Sequence, residues 1–175
     1  MFNIGGYVSY RSEGVCIITD IRCESFGSIG KDEKYYILSP LNDPKSTVYV
    51  PASNEKLMSM MRKLLSAEEI ENMVSELREE RLEWISDNRL RNSRFKEILL
   101  IGDRRELILV ANTLTEKLAE QEKTGIKLPQ TDINTLKRAI TLLYNEFSAT
   151  TDISSSEDLI GVLNGNIRLN PKNPL

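Results

Sequence analysis

Histidine occurs nowhere in the 175 residues. That absence removes the Ser-His-Asp triads, most catalytic zinc sites and the usual general base of neutral pH, so an enzyme built on this chain would have to work with carboxylates, lysine or cysteine alone. Cysteine is scarce too. Cys16 and Cys23 are the only two; they lie seven apart in a β-like segment and its exit, a spacing that is neither a disulfide framework nor a thiolate metal site, and they read as reduced residues of a cytoplasmic protein. No apolar run approaches the roughly 18 residues of a membrane span. The start, Met1-Phe2-Asn3-Ile4-Gly5-Gly6, lacks the basic and apolar regions of a signal peptide, so none is expected. An excess of positive charge is also missing. With a formal net charge of −3, adhesion to nucleic acid through global charge is not expected, and any DNA contact has to be local or delivered by a partner.

What is present changes character near residue 53. Residues 1–53 read as β: Gly5-Gly6 precedes the alternating Tyr7-Val8-Ser9-Tyr10, Gly14 turns into the β-branched run Val15 to Ile21, and a polar, glycine-bearing loop spans residues 25–32. Tyr35 to Leu38 and Thr47 to Val50 follow, the latter ending at Pro51. Short strands with tight turns in so few residues predict a small, strongly bent sheet of SH3 or Tudor type, a module whose open edge strand is a docking place for a partner strand.

From Asn54 the apolar period becomes helical. A short helix carries Leu57, Met58, Met61 and Leu65. Ser66 with Glu69 is a capping box opening a helix with Ile70, Met73, Val74 and Leu77 inward. Asp87 to Ile101 is predicted to bury Leu90, Phe95, Ile98 and Leu99 and to stop at Gly102. Asp103 with Glu106 repeats the capping box before a stripe of Leu107, Val110, Ala111, Leu114 and Leu118 that ends ahead of Gly125. A long helix from about 131 to 149 and a short one, started by Ser154 with Glu157, complete the pattern. The fold class expected is α+β: a small SH3/Tudor-like barrel (1–53), an all-α bundle (54–165) and a frayed tail (166–175).

One stretch carries a local contrast. Trp84, the only tryptophan, is followed by Arg89, Arg91, Arg94 and Lys96 against the single acid Asp87, within a region that is otherwise acidic. Residues 1–62 hold seven charges of each sign, leaving 19 acidic and 16 basic in residues 63–175. An aromatic ring beside arginines suits a duplex, the cations meeting phosphates and the ring entering a widened minor groove. On this stretch alone a packing role fits better: Ile70, Met73, Val74, Leu77 and Trp84 fall on one face of a continuous helix, and Glu79, Glu80, Glu83 and Glu97 are available to pair with the arginines.

The order of these parts resembles the CarD family of bacterial transcription regulators. The resemblance rests on Ile4-Gly5-Gly6-Tyr7-Val8-Ser9-Tyr10, Gly14-Val15, Tyr35 to Leu38, Val48-Tyr49-Val50-Pro51, a tryptophan near the start of a helical domain and the Gly102-Asp103 helix break, and it extends to about residue 163. The barrel is also similar to the polymerase-interacting module of transcription-repair coupling factors. The chain departs from the family where Tyr10-Arg11-Ser12-Glu13-Gly14 lacks the usual proline and histidine, where Tyr49 stands in place of a common basic residue, and where Trp84 lies about one helical turn further from Gly102.

The resemblance implies a regulator that is not an enzyme and needs no cofactor. Its barrel would bind the RNA polymerase β subunit, with Glu24 and Tyr49 facing it and Arg22 added from the same strand exit. Its helical domain would stabilise the open promoter complex at the upstream fork, with Trp84 as wedge and Arg89, Arg91, Arg94 and Lys96 on the backbone. Promoter DNA would be bound weakly and only alongside polymerase, by a cytoplasmic monomer with no membrane or small-molecule partner. The competing reading is an adaptor that docks polymerase or another protein and does not touch DNA. A carboxylate enzyme using Glu79 and Glu83 has little to recommend it, because Glu79 to Glu83 reads as a solvated helix face with no phosphate loop or metal cluster nearby.

Overall fold

The computed structural model describes residues 2–25 and 32–172, so most of the polar loop expected over 25–32, and the last three residues of the expected tail, lie outside the described residues. The chain divides into two compact units, Met1–Leu64 and Leu65–Leu175.

The first unit is a five-stranded antiparallel sheet of β1 (Tyr7–Tyr10), β2 (Gly14–Glu24), β3 (Glu33–Pro40), β4 (Val48–Pro51) and β5 (Met61–Arg62), in the order β4-β3-β2-β1-β5. β1 and β2 are joined by a 3-10 turn at Arg11–Glu13, where Arg11 and Gly14 both take positive φ (48° and 75°). A glycine suits that second position because it meets no Cβ penalty. A bulge between Ile18 and Asp20 shifts the β2–β3 register and bends the long β2 strand. One face of the sheet packs Val8, Tyr10, Cys16, Ile18, Tyr36, Leu38, Val50 and Met61 into a core of its own.

The short helix α1 (Glu55–Ser59) and β5 belong to this unit, because Met61 and Arg62 pair with Tyr10 and Ser9 of β1. The compositional change at residue 53 marked the switch in local period, whereas the structural division falls at residue 64. A short apolar run such as Met58 to Met61 carries no reliable period, and strand pairing decided where it went.

The second unit holds α2 (Ala67–Leu77), α3 (Asn88–Ile101), α4 (Arg104–Thr124), α5 (Gln130–Phe147) and α6 (Ser156–Leu163) around one core. Ser66 and Glu69 form the predicted capping box on α2. Asp87 and Asp103 cap α3 and α4, and Gly102 and Gly125 close them in the left-handed conformation. Three details differ from the pattern. Glu106 does not complete a box with Asp103, because its carboxylate meets Arg94. The cap of α6 is Ser155 with Asp158, one residue later than expected. Leu90 is 64% exposed, since the inward face of α3 is set by Arg91, Phe95 and Ile98 at i, i+4 and i+7, and Leu90 lies one residue off that line.

The tail expected to fray is docked through residue 172. Leu169 is buried, Thr151 bridges Pro171, and Asp152 accepts from both the backbone N–H (3.0 Å) and the side-chain amide (2.8 Å) of Asn170.

Candidate functional site

The three barrel residues singled out from sequence share one face. Register pairs Arg22 with Tyr35 and Tyr35 with Pro51, Glu24 with Glu33, and Ile37 with Tyr49. Partners across a ladder and residues two apart along a strand point the same way. Arg22, Glu24, Tyr35 and Tyr49 therefore stand together on the surface opposite the core. Arg22 is held by Glu24 (2.6 Å) and Asp20 (3.0 Å), which in that order raise its pKa further. Tyr49 is 39% exposed, with its ring edge-on to Tyr35 at 6.3 Å, and the Tyr35 hydroxyl donates to Glu33 (3.1 Å). Tyr35 titrates above the ordinary tyrosine value, through desolvation first and that hydrogen bond second. β4 is an outer strand of the sheet, so one row of its backbone groups has no ladder partner. On the core side, burial, with the charge of Glu13 adding, pushes the Cys16 thiol up to about 12, which leaves it without thiolate chemistry near neutral pH.

In the helical unit Trp84 is not helical. α2 ends at Leu77, and residues 80–86 form no helix or strand before the cap of α3. Neighbouring helices hold this segment by side-chain hydrogen bonds. Asn112 Nδ2 donates to the Leu77 carbonyl (2.9 Å), Thr113 Oγ1 accepts from the Leu82 N–H (2.9 Å), and Arg91 Nη1 donates to the Ile85 carbonyl (2.6 Å). The Trp84 ring is half-buried on the helical core. Arg91 lies over it at 4.3 Å and Lys117 at 5.3 Å from the centroid. Its remaining surface lines a cavity of about 310 Å³ with Ser86, Lys117, Gln121, Lys127 and Pro129.

The four basic residues after Trp84 have different fates. Arg91 is buried: its Nη2 meets Asp132 Oδ2 at 2.7 Å, with side chains 3% and 0% exposed, and also donates to Asn88. The guanidinium named from sequence as a backbone contact is thus committed inside the protein. Arg94 is exposed but paired with Glu106 (2.6 Å) and Glu97 (3.2 Å). Arg89 and Lys96 are exposed, with no hydrogen-bond or ion-pair partner for their side chains among the described residues. Their seven-residue spacing places them on one face of α3. Lys117 and Lys127 were missed from sequence. They stand 33 and 43 positions after Trp84, and only the packing of α4 and the segment behind it brings them to the ring.

Among the described residues no group of acidic, histidine or cysteine side chains could hold a metal ion, and no helix is long and apolar enough to cross a membrane. The chain is thus a bent antiparallel sheet with a polar outer face and an outer strand, followed by a second, all-helical unit. Residues 2–65 match the model of the CarD-like/TRCF RID domain, a family of RNA-polymerase-interacting, transcription-related modules and not a catalytic one. The match stops at residue 65 and leaves the helical unit outside it. Comparison with curated proteins finds no match.

Proposed function

We propose that this chain is a transcription regulator that binds the RNA polymerase β subunit through its N-terminal sheet and stabilises the open promoter complex through its helical unit. The observation that carries the reading is the RID-domain match over residues 2–65. On the sheet, the outer strand β4 carries Tyr49 and offers backbone groups to a partner strand, while Tyr49 and, two strands away on the same face, Arg22 and Glu24 select it. On the helical unit, the exposed part of Trp84 meets the upstream fork, with Arg89 and Lys96 as the backbone cations. Arg91 supports this surface from within, through Asp132, and Arg94 lies on it paired with Glu106 and Glu97. The DNA contact is weak by itself and suffices once polymerase holds promoter and protein together, because it is then effectively intramolecular. The protein acts in the cytoplasm as a monomer, at the polymerase.

The half-burial of Trp84 beneath Arg91 and Lys117 favours a second reading, an adaptor whose helical unit touches no DNA. The lifetime of an open promoter complex separates the two. It is measured with bacterial RNA polymerase alone, with the protein, and with folded Trp84→Ala and Arg89→Ala variants. A lengthened lifetime that both variants lose supports the regulator. Polymerase binding with no change of lifetime in any variant supports the adaptor, and no polymerase binding at all rejects both.

A further inference from the structure

Most arginines of the helical unit have a carboxylate partner: Arg81 has Glu116, Arg91 has Asp132, Arg94 has Glu106, Arg104 has Glu146 and Arg105 has Glu76. Arg78 departs from this pattern. It caps the C-terminus of α2, it is half-buried, its Nε is shut off from solvent, and no described residue gives its side chain a hydrogen bond or an ion pair. A donor withdrawn from water without a partner is costly, and a ligand that supplies an acceptor recovers that cost.

The surroundings of Arg78 form a cleft of about 460 Å³, lined by Glu71, Ser75, Arg78, Gly165, Ile167 and Arg168. Arg168 is exposed and also has no partner for its guanidinium among the described residues. Gly165 leaves room for Arg78: a Cβ there would come within 2.5 Å of Arg78 Cζ, and its φ of 75° is one that glycine adopts without strain. The carboxylate in the cleft, Glu71, has Oε1 occupied by the Leu169 N–H at 2.7 Å. Two unpaired guanidinium groups thus face one carboxylate that already serves the backbone, with the Ser75 hydroxyl beside them.

We propose that this cleft binds the phosphate group of a small phosphorylated ligand, with Arg78 and Arg168 as its cationic clamp. Guanidinium groups match phosphate oxygens in planar, two-point fashion, and the volume is that of a small-molecule site. The site is separate from the Trp84 surface and does not depend on the regulatory reading above.

The test is a titration of the full-length protein with inorganic phosphate and pyrophosphate, followed by amide NMR, with a short DNA duplex as a parallel arm. Saturable shifts centred on Ser75, Gly165 and Arg168 are expected. Arg78→Gln and Arg168→Gln each weaken pyrophosphate binding by at least about tenfold, whereas Lys123→Gln, at an exposed position outside the cleft, leaves it unchanged. Mapping on the wild-type chain decides the matter even if Arg78→Gln fails to fold. Three outcomes overturn the proposal: shifts confined to scattered surface lysines, unchanged binding by folded Arg78→Gln, or a cleft that responds to the duplex and not to pyrophosphate. The last would make it a nucleic-acid contact instead.

Discussion

Arg91 shows how far a residue's role depends on what folds over it. Read along the chain, it is one of four cations after a tryptophan. In the fold it bonds Asp132, Asn88 and the Ile85 carbonyl and lies over the Trp84 ring. Removing one member of a buried ion pair leaves the other charged and unpaired, which costs about 3–5 kcal/mol. Asp132→Ala is therefore expected to destabilise the helical unit by about that much in chemical denaturation. Arg91→Ala should do the same and disturb Trp84 fluorescence as well. Arg89→Ala, at an exposed position, should fall within about 0.5 kcal/mol of the parent. A comparable loss from Arg89→Ala would show that Arg89 has a structural duty that its exposure does not suggest.

Among the elements, the segment after α6 behaves unlike a loose end. Its Asn170 is held by the Asp152 carboxylate, whose pKa lies below the usual aspartate value, through the Asn170 side-chain hydrogen bond first and the Asn170 backbone second. A carboxyl group with a lowered pKa in the folded state stabilises that state at pH values above its ordinary pKa, and the stabilisation fades as pH falls through the lowered value. Amide exchange at Asn170 and Lys172 should thus be protected near neutral pH and lose protection on acidification below about pH 4. Asp152→Asn should lose much of that protection at all pH values. Equal protection in parent and variant would mean that Leu169 burial alone holds the segment.

For the molecule as a whole, the two units have separate cores, one centred on Val8, Ile18, Leu38 and Val50, the other on Ile70, Leu107, Leu114, Leu143 and Phe147. The one tryptophan lies in the second unit. Leu38 is fully buried, and truncation of such a side chain costs about 2–5 kcal/mol. Leu38→Ala is therefore expected to speed amide exchange across the strands at 7–24 and 33–62 while the unfolding transition reported by Trp84 fluorescence keeps its midpoint. A shift of that midpoint would show that the cores are energetically coupled.

Much of this organisation was legible in the sequence. Period-two patterning and turn residues identified the first four strands, and caps such as Ser66, Asp87 and Asp103, with stops at Gly102 and Gly125, placed three helices nearly to the residue. These signals are local: a capping side chain bonds backbone two or three residues away, and a left-handed glycine needs nothing distant. The order of motifs also led to the family that residues 2–65 match. The short strand at Met61, the non-helical path of Trp84, the burial of Arg91 and the docking of the tail depend on partners far away in the chain: Tyr10, Thr113, Asp132 and Asp152. Periodicity assigns a residue to a face, but only tertiary packing determines what that face meets, and so which arginines remain for a ligand and which are already paired.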